Sequence, residues 1–137
     1  MAAPISERLV LDSGIATAIV EHARAGHPDE VCGIVGGRDG RGWLLYQGRN
    51  VASHPRIAYE LDAETLSRQI ELEAAGLELA AIYHSHPHGP ETPSGADIAR
   101  AFYPDAVYII CSLADCNTAI LRGYRIRDGR AWEVALA

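Results

Sequence analysis

The chain has 137 residues, 48% of them hydrophobic and 22% charged, a size and balance that fit one domain over residues 1–137 built on a single core. Twelve basic against eighteen acidic side chains give a formal charge of −6, which works against holding a phosphate backbone, because that affinity comes mainly from Lys and Arg displacing counterions. No stretch approaches the roughly 18 apolar residues in a row of a membrane span, and the start "MAAPISERLVLD" lacks a secretory signal's apolar run, so a cytoplasmic protein without nucleic-acid or membrane partners is expected.

In chain order, "RLVLD" reads as a first strand, after which Ser13 is placed to cap a helix. Ile15, Ile19, Val20 and Ala23 share its apolar face and Gly26 ends it. "VCGIVGG" and "WLLYQGRNVA" flank an Asp-Gly turn as a hairpin, and "RIAYEL" reads as a further strand. Asp62 is the expected N-cap of a second helix, with Leu66, Ile70, Ala74 and Leu77 on one side, a Glu64–Arg68 pair at i,i+4, and Gly76 as its stop. "LELAAIYHSH" is apolar enough for a central strand buried on both faces, and Pro87 withdraws a backbone donor where its pairing must end. A short helix from about Gly95 to Phe102 precedes three strands, "AVYIICSL", "TAILRGYRI" and "RAWEVAL", the last two joined by a second Asp-Gly turn. The fold class is α/β of the α+β type, with a central mixed, largely antiparallel sheet and flanking helices. Cys32, Cys111 and Cys116 cannot all pair within one chain and read as small buried thiols.

Half of the six histidines fall within five positions of "AIYHSHPHGPETPSGAD", residues 81–97. Side chains of a strand alternate faces, so His84 and His86 point the same way, about 6–7 Å apart along the backbone. A loop broken by Pro87, Gly89, Pro90 and Pro93 lets the chain return Asp97 to the two imidazoles. Two histidines and one carboxylate with a fourth position open recur as a catalytic zinc set. Plainer readings compete: a strand-end histidine pair is often solvated or satisfied in the core, and Ser94 with Asp97 also spells a helix capping box. Capping and ligation are compatible. His88 and Glu91 lie in the loop, where His88 could meet a metal transiently, and His22, His27 and His54 have no partner at useful spacing. An HxE with PCxxC, the mark of zinc nucleobase deaminases, is absent.

"HSHPHGPETPSGAD" and, upstream, "HPDEVCGIVGG" together resemble the metal motif and the glutamate-bearing segment of the JAMM (MPN+, JAB1/MPN/Mov34) metallopeptidases. The resemblance implies a JAB1/MPN-like fold with cytidine-deaminase-like architecture across nearly the whole chain. It implies one zinc held with a water by His84, His86 and Asp97, Glu30 as general acid/base, Ser94 stabilising the oxyanion, and Ser85 as a structural hydroxyl. The compact form with "PDEVCG" is similar to prokaryotic members that process small ubiquitin-like sulfur carrier proteins. That likeness implies hydrolysis of the amide after a carrier's C-terminal Gly-Gly, with cysteine or a short extension released and the tail received as an added strand. Two further readings stay open: an isopeptidase that frees such a modifier from lysine, and a noncatalytic, dimerising scaffold, a homodimer being compatible with each.

Overall fold

The computed structural model describes residues 7–115 and 117–137, so Cys116 lies outside the described residues. The elements are β1 (Arg8–Leu11), α1 (Ile15–Gly26), β2 (Cys32–Arg38), β3 (Arg41–Gln47), α2 (Ala63–Ala74), β4 (Glu78–His86), α3 (Gly95–Ala99), β5 (Val107–Ser112), β6 (Ile120–Arg127) and β7 (Arg130–Leu136). Both Asp-Gly hairpins form as expected. Asp39 and Gly40, and Asp128 and Gly129, have positive φ, the conformation that a tight hairpin between twisted strands requires.

The strands lie in the order β1-β3-β2-β4-β5-β6-β7, and β1 pairs in parallel with both β3 and β7, so the sheet closes into a barrel. The pairings of β2 with β3 and β4, and of β6 with β5 and β7, are antiparallel, whereas β4 and β5 run parallel, which makes the sheet mixed as expected. β4 is the central strand, hydrogen-bonded to β2 and β5 and buried on both faces. One core unites α1 with the sheet through Ile15, Ile19, Ala23, Tyr83, Ile109 and Val134. The other, on the opposite face, gathers Ile34, Leu72, Ile82, Tyr108, Ile110 and Tyr124. No helix among the described residues is long and apolar enough to cross a membrane.

Four local expectations change. The N-cap of α1 is Gly14, at φ 91, and no side chain caps it, so Ser13 does not. "RIAYEL" is not a strand: among the described residues its β-type pairing is one isolated bridge, between Asn50 and Leu61. Its backbone is held by a side chain, since Asn50 Nδ2 donates to the Ala58 carbonyl and Asn50 Oδ1 accepts from the Glu60 N–H. Third, α2 is rotated from the expected face. Asp62 does cap it, accepting from Thr65 N–H and Oγ1 and from Arg49 N–H, and this anchor turns Thr65, Gln69 and Leu72 inward. Leu66 and Ile70 are left 37% and 68% exposed, Ala74 is exposed and Leu77 half-buried. Last, α3 stops at Ala99, short of Phe102.

Candidate metal centre and active site

The pleat of β4 carries His84 and His86 on one face, and pairing of His84 with Cys32 on β2 and of His86 with Ser112 on β5 fixes their depth. His84 is 1% exposed and His86 7%. Between them Ser85 is fully buried and serves the structure: its Oγ accepts the Val31 N–H at 2.9 Å, and its N–H donates to the Val31 carbonyl at 3.0 Å. The segment carrying Glu30 is thereby pinned to the strand that carries the histidines.

The loop after Pro87 returns to the site through α3. Ser94 is the N-cap, its Oγ accepting the Asp97 N–H at 3.0 Å, while Asp97 Oδ2 accepts the Ser94 N–H at 2.9 Å. That same Oδ2 lies 3.2 Å from His84 Nε2 and 3.0 Å from His86 Nε2, and the two nitrogens are 3.1 Å apart. The capping box aims the Asp97 carboxylate at the two imidazoles.

The donor set fits a metal ion. In a tetrahedral site with bonds of about 2.0–2.1 Å the ligand atoms stand about 3.3 Å apart, close to the 3.0–3.2 Å found here. His86 Nδ1 donates to the Pro90 carbonyl at 2.7 Å, and a carbonyl only accepts, so this bond fixes the tautomer and leaves the Nε2 lone pair facing inward. His84 Nε2, His86 Nε2 and Asp97 Oδ2 then face one point, and a cation there would relieve the repulsion between their lone pairs. Charge follows the same logic. Burial pushes Asp97 up, but the two imidazoles that face it and the Ser94 N–H outweigh this and hold the carboxyl well below the usual range. Burial keeps His84 low and neutral, the form that ligates; for His86, burial is outweighed by Asp97 and the Pro90 carbonyl, and the pKa rises.

His84 Nδ1 is buried with no hydrogen-bond partner among the described residues. Its ring is held instead by Tyr59, stacked on it at 4.3 Å between centroids and 20° between planes. Tyr59 had no site signal in the sequence, because it sits in the segment whose composition reads as a strand. Asn50 was likewise missed: beside holding 58–60, it donates to the Glu30 carbonyl at 2.9 Å, and the Glu30 N–H donates to the Pro55 carbonyl at 2.7 Å.

Those backbone bonds hold Glu30, 7% exposed, just before β2. Burial pushes its carboxyl up to about 7, opposed by His86 and reinforced by Asp97, so it senses both side chains electrostatically. Ser94 is exposed at the rim. A cavity of about 440 Å³ opens on Asp97 and is walled by Ile57, Tyr59, Leu61, Leu66, Phe102 and Tyr103. A second, of about 510 Å³, lies near Arg8, Glu78 and Arg125 and contains none of the five motif residues. His88 and Glu91 stand outside the ligand group. His22, without a partner at useful spacing along the chain, bonds Tyr83 Oη at 2.7 Å on the α1 side of the sheet.

Comparison with known proteins gives the family. A family model of prokaryotic homologues of the JAB domain matches residues 12–128. The chain is 43% identical over 114 residues to a desampylase from Haloferax volcanii, covering 78% of this chain and 82% of that protein. It is 38% identical over 128 residues to a CysO-cysteine peptidase from Mycobacterium tuberculosis, covering 91% and 87%. A solved structure of a Desulfitobacterium hafniense protein superposes with a TM-score of 0.80 at 30% identity, covering 94% of this chain and 91% of that one. The chain belongs to the prokaryotic family of JAB-domain proteins.

Proposed function

We propose that the chain is a zinc peptidase that hydrolyses the amide bond after the C-terminal Gly-Gly of a small ubiquitin-like sulfur carrier protein, releasing cysteine or a short extension. The observation that carries this reading is the meeting of His84 Nε2, His86 Nε2 and Asp97 Oδ2 within 3.2 Å of one another beside a buried carboxyl with a pKa of about 7. A noncatalytic scaffold has no need of that combination.

A zinc ion held by His84, His86 and Asp97 supplies Lewis acidity toward the scissile carbonyl and a water whose pKa falls toward about 7. Glu30 moves the proton. With a pKa near neutrality its carboxylate takes a proton from the attacking water and delivers it to the leaving nitrogen, so that the C–O bond forms and the C–N bond breaks without net charge change. Ser94 Oγ uses a lone pair on the Asp97 N–H, which leaves its own proton free to donate to the developing oxyanion. The extended tail lies along the 57–61 segment in the apolar-walled cavity that ends at Asp97, where side-chain-free glycines pass most easily. The exposed Leu66 and Ile70 of α2, continuous with that wall through Leu66, offer the carrier's globular part an apolar footing.

A second reading, removal of the modifier from lysine, is favoured by the similarity to the Haloferax desampylase. Two substrates separate them: a carrier extended linearly by cysteine and the same carrier joined to a lysine side chain, compared by kcat/KM with the zinc-loaded protein. Faster turnover of the linear substrate supports the first reading, and the reverse order supports the second. Turnover of neither, with zinc bound, would sink both.

A further inference from the structure

His27 and His88 are 61 positions apart and carry no assigned role in the two motifs that contain them, yet their rings meet. His27 is the first residue past α1 and His88 the second past β4; their ring centroids stand 5.0 Å apart with planes at 80°. The ligand pair His84 and His86 has nearly the same arrangement, 4.9 Å and 68°. That separation admits chelation as well as edge-to-face packing, since two imidazoles bound through nitrogen at about 2.0–2.1 Å in a tetrahedron place their centroids about 5 Å apart. Both side chains are exposed, and neither ring makes a hydrogen bond among the described residues. Their nitrogens are therefore open to an incoming ion without the loss of an existing bond.

We propose that His27 and His88 form a second metal site, distinct from the His84–His86–Asp97 centre, for a divalent ion of the zinc, nickel or copper class. Imidazole selects those ions over magnesium and calcium, which prefer oxygen. Among the described residues no carboxylate or thiolate joins this pair at ligand distance, so water completes the coordination and the site binds more weakly than the three-ligand centre. The two ligands come from the segment that leads to Glu30 and from the loop that leads to Ser94. An ion held there cross-links the two flanks of the active-site mouth.

The test is zinc titration of the untagged, metal-free chain, followed by native mass spectrometry and by the histidine ring resonances. The wild type takes up two equivalents, the second at least tenfold weaker, and the second shifts the His27 and His88 signals. His27→Gln and His88→Ala each bind one equivalent, at unchanged affinity, while Asp97→Asn weakens the first and keeps the second. A wild type that stops at one equivalent overturns the proposal. So does a second equivalent that survives in either histidine variant, or one that disappears with Asp97→Asn.

Discussion

Replacing Glu30 by Gln separates what this carboxyl costs the fold from what it does in the reaction. Its pKa stands at about 7 in the folded protein, chiefly through burial, against 4.5 when unperturbed. Between those values the folded state binds more protons than the unfolded one, so stability falls as pH rises through the window, and the loss is complete above about pH 7. At 1.36 kcal/mol per pH unit the loss amounts to about 3 kcal/mol. Gln is neutral at every pH and nearly isosteric. Metal-free Glu30→Gln should match the wild type at pH 4.5 and exceed it by about 3 kcal/mol at pH 8, on the order of 10 °C in Tm for a chain of this size. The assay is urea unfolding of both metal-free proteins from pH 4.5 to 8.5. A variant no more stable than the wild type at pH 8, or a gap that does not change with pH, would refute the reasoning that buried Glu30 is held near neutrality. The zinc-loaded variant should meanwhile bind metal and lack activity, the trade of stability for function that active sites make.

Four further outcomes follow from the same geometry. Ser94→Ala should lower kcat by about 10²–10³-fold through loss of the oxyanion donor and cost about 1 kcal/mol through loss of the N-cap, while Ser94→Thr restores the cap; kinetics and thermal melts read the two separately. Tyr59→Ala should weaken zinc binding about 10–100-fold, the usual effect of removing a group that orients a metal-bound histidine, and Tyr59→Phe should not, as competition with a chelator will show. kcat/KM should rise with pH along a limb set by Glu30, with its midpoint at or below about 7 because a bound dication favours the carboxylate; a pH–rate profile checks it. Ile70→Asp should raise KM for a whole carrier and leave hydrolysis of a short Gly-Gly peptide unchanged, since this side chain is exposed and stands outside the wall of the cavity that takes the tail.

The parts of the site legible in the sequence depend on short-range geometry. His84 and His86 are two apart on a strand, and the pleat alone puts them on one face. Ser94 and Asp97 are three apart at a helix start, so the capping box that competes with ligation as an explanation is in fact the device that points Oδ2 at the histidines. Three other features depend on tertiary context. The face that α2 buries is set by Asp62 bonding Arg49 and Thr65, which overrides the stripe of Leu66 and Ile70. The 58–60 segment is tied down by one asparagine rather than by a ladder, so its β-like composition misleads and hides Tyr59. His27 reaches His88 only because the end of α1 and the end of β4 converge, which no spacing along the chain encodes.

The most direct test of the proposed chemistry is intact-mass analysis of a Gly-Gly-ended carrier bearing a C-terminal cysteine, incubated with wild type and with Glu30→Gln at matched, measured zinc content. Loss of the residue after Gly-Gly with the wild type alone, abolished by a chelator and restored by zinc, is the predicted result. An intact carrier in the wild-type reaction, or equal cleavage by the zinc-loaded variant, would contradict it.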